Sequence, residues 1–309
     1  MPIDGKPVLA MDIGGTHTRI GLMNDKAELS AYQRFSTQDW AADSPLERLC
    51  ERITQFLEKE SPDGIAALSI GFPSAVDKAR RVLVSTPAIP ALDGKPVVEF
   101  LESQFSCPVY IDRDVVMIYS HAARSLKIPA QGTTLGFFIG TGIGNVIVIN
   151  GHIFNGAHGI AGELGHIPMW GRCAKCGCGG RGCAELYTAG RALVTIRNRF
   201  FKDDPVDRLF ARHEKSDPIE SFLSGLSLVI SQEMIILDPD RVVLGGGVVH
   251  MQGFPIEKLN RMVAMRLRSP EISKDIQWYV APDAQHAGVL GAGMYAFDQL
   301  DKGEKNDGA

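Results

Sequence analysis

A pattern of apolar strand, small-residue turn and apolar strand occurs at Leu9–Leu22 and again at Leu135–Ile149. The first turn reads DIGGTHTRIG and the second FIGTGIGNV. A β-hairpin is stable only when its apolar face is covered by further strands or helices. Two such hairpins so far apart in sequence therefore imply two lobes, each built on its own hairpin and turning its glycines toward a cleft. A chain of 309 residues has room for this at ~100–200 residues per domain. Its hydrophobic fraction of 45% and charged fraction of 22% are those of an ordinary globular protein.

The intervening segments alternate strand and helix. Val8–Ile13 reads as a buried strand, followed by strands Thr18–Met23 and Ala27–Phe35 across an Asn24-Asp25 turn. Asp43–Glu60 carries Leu46, Leu49, Ile53, Phe56 and Leu57 at helical spacing, with Ser44 or Asp43 as its N-cap. Strand Ile65–Ile70, helix Val97–Phe105, strand Val109–Ile111 and helix Val115–Ser125 follow. From about Gly132 a second αβ series begins with strands Thr133–Ile139 and Ile143–Ile149. Helices are predicted at Gly190–Phe200, Glu220–Leu237, Ile256–Leu267 and Ala287–Leu300, with strand Arg241–Leu244 among them. The polar tail Lys302–Ala309 reads as frayed. The pattern is α/β with mixed sheets.

Several function classes are excluded. A net charge of −4 and a pI near 6.1 give no strong attraction to nucleic acid or an anionic membrane. Met1–Ala10 holds a single lysine, and Asp12 interrupts the apolar run behind it, so no signal peptide is read. The longest apolar stretch, Leu135–Ile149, is too short and too glycine-rich to cross a bilayer. A soluble, cytoplasmic protein is expected.

Glycine numbers 33, well above the usual ~7% of residues, and much of the excess falls in three turns and in the segment Gly156–Gly182. In the first, Asp12 ends a strand and Gly14, Gly15 and Thr16 follow. Bare backbone N–H groups and a hydroxyl suit a phosphate, and the carboxylate suits Mg²⁺. A tight hairpin alone would also explain these glycines. Gly140-Thr141-Gly142 forms the second turn; no helix follows it, so it is neither a P-loop nor a dinucleotide fingerprint. Gly245-Gly246-Gly247, at a strand end, is the third and leaves bare backbone for an adenine or ribose.

Cysteines cluster as well. Of the six, Cys173, Cys176, Cys178 and Cys183 lie in one glycine-rich segment just after His166. Thiolates and an imidazole at such spacing make a tetrahedral Zn²⁺ site. Five candidate ligands compete for four positions. A closed site of this kind is structural, and the spacing does not match a nucleic-acid zinc finger. Among the acids, Asp114 lies between a strand and a helix, Glu163 is three residues before His166, and Glu185 follows Cys183. Several oriented acceptors plus one carboxylate that takes a proton are what a sugar hydroxyl needs in group transfer. Each acid taken alone also reads as a capping or surface carboxylate.

Together DIGGTHTRIG, FIGTGIGNVIVINGHIFNGAHGIAGELGH, CGCGGRGCAE and LGGGV resemble the ROK family of sugar kinases and sugar-responsive repressors. The resemblance spans essentially the whole chain. It implies the actin-like, hexokinase-like (ribonuclease H-like) ATPase fold, two α/β lobes around a cleft. One lobe would be residues 1–120, completed by a C-terminal helix at 290–309; the other would be 121–289, with the zinc segment. It also implies ATP on Asp12, Gly14, Gly15, Thr16, Gly140, Thr141, Gly142 and Gly245–Gly247, with Mg²⁺ on the phosphates. Structural Zn²⁺ falls to His166, Cys176, Cys178 and Cys183, which leaves Cys173 over. Asp114 becomes the general base, and Arg113, Glu163, His166, Glu185 and Ser74 become sugar ligands. His166 then has two roles, one ring nitrogen on zinc and the other on the sugar.

The family usually has asparagine directly before the base, where this chain has Arg113. Asparagine donates and accepts, whereas arginine only donates, so recognition of the sugar's 3- and 4-hydroxyls is altered. The RDV segment, GFPSAV and VSTPAIP resemble the allose kinase branch. The expected activity is ATP-dependent phosphorylation of an aldohexose 6-hydroxyl, D-allose foremost, with glucose, N-acetylmannosamine or fructose as alternatives. A non-catalytic sugar-responsive regulator is the competing class, but such regulators carry a helix-turn-helix domain ahead of the DIGGT segment, which here begins at Asp12. The expected partners are the sugar and ATP, with no nucleic acid or membrane, and the expected assembly is a homodimer.

Overall fold

The computed structural model describes residues 5–269, 271–283 and 285–307. It divides into two compact units. One takes the described residues up to Ser125, the short segment Asn155–Ile160 and the described residues from Gln285 onward; the other takes Leu126–Phe154 and Ala161–Asp283.

The first unit opens with the hairpin β1 (Val8–Ile13) and β2 (His17–Met23), then β3 (Leu29–Ser36) and helix α1 (Pro45–Glu60). β4 (Ala67–Phe72), the small hairpin β5 (Ala75–Val76) and β6 (Leu83–Ser85), α2 (Val97–Phe105), β7 (Val109–Arg113) and α3 (Asp114–Ser125) complete this stretch. Its sheet runs β3-β2-β1-β4-β7, antiparallel through the hairpins and parallel from β1 onward. Leu46, Leu49, Ile53 and Phe56 line the buried face of α1 and pack with Leu9, Met11, Ile70 and Ile111 of the sheet in one apolar core. Each such side chain contributes roughly 1.5–3 kcal/mol of burial.

The second unit repeats the plan. β8 (Thr133–Ile139), β9 (Ile143–Ile149) and β10 (His152–Ile153) are followed by α4 (Glu185–Thr188), α5 (Gly190–Phe200), α6 (Leu209–His213) and α7 (Asp217–Leu237). β11 (Arg241–Gly245), α8 (Ile256–Ala264) and β12 (Gln277–Val280) close it. The sheet order is β10-β9-β8-β11-β12, again antiparallel through the hairpins and parallel afterwards. The two hairpins of the sequence pattern are thus equivalent elements of two like sheets. Ile219, Phe222, Leu223, Leu226 and Ile230 seat α7 in the core beneath β8 and β11. This helix is long and apolar enough to span a bilayer by length and composition alone. It corrects the expectation that the longest apolar run is Leu135–Ile149; one face of it is buried in the core of the unit, while Leu228, Ile235 and Ile236 are exposed.

The last helix, α9 (Ala287–Asp307), belongs to the first unit and packs on α3 and β1. Close approach explains its glycines: an ideal Cβ on Gly291 would meet the Met117 carbonyl of α3, and one on Gly288 would meet the Asp12 carboxyl. A frayed tail is predicted from Lys302, but the helix continues to Asp307; Gly308 and Ala309 lie outside the described residues. Several other boundaries move. The turn between β2 and β3 extends from Asn24 to Glu28, because the Asn24 Oδ1 accepts from the Lys26 and Glu28 N–H groups and Ala27 adopts a left-handed φ of 63°. Ser44 is the N-cap of α1 but makes no side-chain capping bond. The strand expected at Ile65–Ile70 lies at Ala67–Phe72, α7 starts earlier, at Asp217 with Pro218 in its first turn, and α8 stops at Ala264.

Candidate functional site

In the first unit, Asp12 sits next to the end of β1, paired in register with Arg19 of β2. Arg19 Nη1 donates to Asp12 Oδ2 at 3.1 Å. Burial pushes the Asp12 carboxyl above its usual pKa range, and Arg19 only partly offsets this. Gly14, Gly15 and Thr16 make the β1–β2 turn. Thr37 grips this turn from one side: its Oγ1 donates to the Gly14 carbonyl at 2.7 Å and its N–H to the Thr16 carbonyl at 3.0 Å. Thr37 Oγ1 also lies 3.1 Å from Thr18 Oγ1, which accepts from Trp40 Nε1 at 2.9 Å. Thr37 and Trp40 are buried, so a fixed interior network sets the shape of a surface loop. A Cβ on Gly15 would have only ordinary contact with Ala88. Neither Gly14 nor Gly15 has a positive φ; a Cβ on Gly14 would crowd the His17 carbonyl at 3.2 Å, whereas Gly15 leaves bare backbone.

The β7–α3 corner carries Asp112, Arg113 and Asp114 in succession. Asp114 is the first residue of α3, and its Oδ1 accepts the Val115 N–H at 2.7 Å. Gly71 on β4 lets the helix start approach, since a Cβ there would stand 2.8 Å from Met117 Cγ and 3.1 Å from Asp114 Cα. Arg113 is 4% exposed. Asp112 is buried, accepts the Arg113 N–H at 2.8 Å and faces Arg80 and the Tyr295 hydroxyl. Burial raises the Asp112 pKa against the pull of Arg80, and burial likewise raises that of Tyr295. Ser74 is buried too, its hydroxyl turned inward to the Ser85 carbonyl at 3.0 Å and Thr86 Oγ1 at 2.6 Å.

In the second unit Gly140-Thr141-Gly142 makes the β8–β9 turn, and the start of α5 docks against it. The Gly190 N–H donates to the Gly140 carbonyl at 2.8 Å, and the Arg191 N–H to the Thr141 carbonyl at 3.3 Å. Gly140 faces open space, whereas a Cβ on Gly142 would collide with the Glu185 carboxylate. At the end of the neighbouring strand β11, Gly246 has φ +88° and lies against the Ile139 backbone, so no other residue fits. A Cβ on Gly247 would meet nothing within 4 Å, while one on Gly245 would strike Phe138 and Ala281. Gly140, Gly246 and Gly247 thus gather at the C-terminal ends of adjacent parallel strands β8 and β11, where ligands bind in open α/β sheets; Gly245 serves packing.

The same unit gathers the acids and the cysteines. His166 closes a short 3₁₀ turn, with Nε2 3.8 Å from Glu163 Oε2 and Nδ1 3.7 Å from Cys176 Sγ. Cys178 Sγ and Cys183 Sγ are 3.7 Å apart, and the donor atoms of His166, Cys176, Cys178 and Cys183 all lie within 4.8 Å of one another. Ligands of a tetrahedral zinc at a Zn–S distance of ~2.3 Å stand about 3.8 Å apart, so the set fits that ion. Burial pushes the Cys176 thiol up to about 12. Cys178 is held below the usual thiol range, where the Gly180 N–H and neighbouring thiols outweigh the opposing effect of burial. Cys173 is exposed and stands apart from the set. Glu185 bridges the cluster and the turn, with Oε1 3.3 Å from Cys176 Sγ and 3.5 Å from Arg191 Nη1.

The profile of the ROK family matches residues 8–299. The chain belongs to the ROK family. It is 29% identical over 299 residues to an N-acetyl-D-glucosamine kinase of Photobacterium profundum, covering 91% of this chain and 96% of that one. A ROK family glucokinase from Streptomyces griseus, solved in complex with glucose and AMPPNP, has a TM-score of 0.77 at 22% identity, over 94% of this chain and 99% of that one. The ROK hexokinase from Thermus thermophilus has a TM-score of 0.72 at 26% identity, over 96% and 99% of the two chains. The fold is accordingly two-lobed and hexokinase-like.

Some residues that shape this ROK site carry no motif in the sequence. Thr37 and Trp40 act through contacts about 20 residues away in the chain and Arg191 through the docking of α5 on the β8–β9 turn. Only the glycine next to Arg191, needed because a Cβ on Gly190 would stand 2.7 Å from the Gly140 carbonyl, hints at that docking.

Proposed function

We propose that this ROK protein is an ATP-dependent sugar kinase that phosphorylates the 6-hydroxyl of a free aldohexose, with Asp114 as general base. The observation that carries this reading is the β7–α3 corner, which begins a helix with a carboxylate at the end of a parallel strand, in a chain whose glycine turns suit phosphates. Asp114 takes the proton of the 6-hydroxyl as that oxygen bonds to the γ-phosphorus, and the bond to the departing ADP oxygen breaks. Gly14, Gly15 and Thr16 offer backbone suited to phosphate oxygens, and Gly140, Thr141, Gly142, Gly246 and Gly247 offer backbone suited to a nucleotide. Asp12 is the carboxylate suited to Mg²⁺, which when bound neutralises phosphate charge; one carboxylate plus substrate phosphates is a donor set that ion favours. Glu163, His166 and Glu185 orient sugar hydroxyls. His166, Cys176, Cys178 and Cys183 would hold a structural Zn²⁺ that fixes the ring orientation of His166.

The substrate we favour is D-allose. Arg113 supports it, because a donor-only guanidinium beside the base alters how the 3- and 4-hydroxyls are read. The kinship with N-acetyl-D-glucosamine kinases supports a second reading, in which a 2-acetamido sugar is the acceptor. ADP release measured over D-allose, glucose, N-acetylglucosamine, N-acetylmannosamine and fructose separates them. D-allose is expected to give the highest kcat/KM, and a higher value with any other sugar overturns that choice. ADP release with none of them, while a sugar still raises the melting temperature, would indicate a sugar-responsive regulator. We also propose a homodimer, which sedimentation equilibrium would refute by returning the monomer mass.

A further inference from the structure

Arg80 adopts a left-handed backbone (φ +56°) in the turn between β5 and β6, a conformation open to glycine and unfavourable for arginine. Its side chain does not trail into solvent but is 12% exposed. Nη1 donates to the carbonyls of Val76 at 2.9 Å and Asp77 at 3.2 Å on its own turn, and to that of Gly159 at 3.1 Å. Nε lies 3.5 Å from Oδ2 of Asp112, whose side chain is 2% exposed. An unfavourable backbone persists where surrounding contacts over-determine it; here the guanidinium's contacts add to the bonds that the Arg80, Ala79, Arg81 and Val82 N–H groups make to Asp77. Gly159 meets the same turn backbone to backbone: at φ +86°, a Cβ on it would stand 2.6 Å from the Asp77 carbonyl carbon and 2.7 Å from the Lys78 nitrogen. The segment Asn155–Ile160, which this unit takes from the middle of the chain, is therefore anchored on the β5–β6 turn. That segment runs directly on to Glu163, and Asp112 directly precedes Arg113 and Asp114.

We propose that Arg80 is a positioning residue of the sugar site. One guanidinium fixes two chain segments: through Asp112 the corner that bears Arg113 and Asp114, and through Gly159 the strap that leads to Glu163. Arg80 itself touches neither sugar nor nucleotide. The inference rests on the kinase reading above and adds to it the group that holds the corner bearing the base.

Three variants test it against Asp112→Asn as reference. Arg80→Gly keeps the backbone conformation and removes the guanidinium. Arg80→Lys keeps the charge but not the fork. Arg80→Gly with Asp112→Asn removes the buried carboxylate that would otherwise lose one of the cations facing it. Relative to Asp112→Asn, the double variant is expected to melt at a similar temperature, with sugar KM raised on the order of tenfold, kcat lowered on the order of tenfold and ATP KM unchanged. Arg80→Lys is expected to recover the melting temperature of the wild type but not its sugar KM. Hydrogen exchange should quicken in residues 155–160 and at the Arg113 amide in Arg80→Gly. Wild-type kcat and sugar KM in the double variant, or a fall in kcat with both KM values unchanged, would reduce Arg80 to a fold staple and overturn the proposal. Failure of the kinase reading is a separate result, seen as no ADP release by the wild type with any hexose. The exchange measurement still decides whether Arg80 holds the corner and the strap.

Discussion

Gly142→Ala is a sharp probe of the second unit, because the structure says what the added methyl meets. An ideal Cβ at position 142 falls on Glu185 Oε2 and lies 3.5 Å from its Cδ. Ordinary carbon–oxygen contact requires the carboxylate to retreat by about 1 Å. Glu185 has little freedom to do so: it is 7% exposed, with Cys176 Sγ at 3.3 Å and Arg191 Nη1 at 3.5 Å. A displacement of ~1 Å in a substrate-orienting group costs on the order of 10²-fold in kcat/KM, about 2.7 kcal/mol of transition-state stabilisation. Gly140→Ala is the paired control, since its Cβ meets nothing within 4 Å. Steady-state ADP release with each substrate varied in turn is the assay. Gly142→Ala should lose sugar kcat/KM at little cost in melting temperature, whereas Gly140→Ala should raise the KM for ATP alone, where a nucleotide would approach. Wild-type sugar kinetics in Gly142→Ala would refute the role given to Glu185.

Two further outcomes are expected. Protein purified without chelator should carry about one zinc per chain, and Cys178→Ser should lose it and raise sugar KM through His166; metal analysis showing no zinc in the wild type contradicts the donor set, and affinity should fall on acidification because the thiols must release protons. Asp77 accepts N–H bonds from Ala79, Arg81 and Val82 at 3.2, 2.7 and 2.8 Å, and these hold its carboxyl below the usual range despite burial. With a folded pKa lowered from 3.8, this stability is present above pH ~4 and lost as pH falls through the folded value. Asp77→Ala should therefore unfold ~1–3 kcal/mol more easily at pH 7, with the gap narrowing in acid; a gap independent of pH refutes the assignment.

What the chain discloses before folding depends on how local each signal is. β1, β8, β9, α2 and α5 lie where apolar runs and glycine punctuation predict them, because their signals are contained within the segment. β5, β6, β10 and β12 escape notice: the first three are two or three residues long, and β12 is half-exposed, so none shows a periodicity. The members of the cysteine cluster are legible as candidate ligands from local spacing, but the choice among five needs the family resemblance, which sets Cys173 aside as the folded knuckle also does. Glu185 looks like a carboxylate beside a cysteine; that it also lies under Gly142 is a tertiary fact. Arg80 is the least visible, because nothing in an arginine announces a left-handed backbone or a buried partner in Asp112.

The account rests most heavily on Asp114 as the proton acceptor, and one substitution addresses it. Asp114→Asn retains the side-chain oxygen that caps Val115 at 2.7 Å and removes the basicity. Turnover under saturating ATP and sugar should fall by ~10²–10⁴-fold, the usual worth of a general base, while sugar still raises the melting temperature as it does for the wild type. Near-wild-type turnover in Asp114→Asn would contradict the central claim.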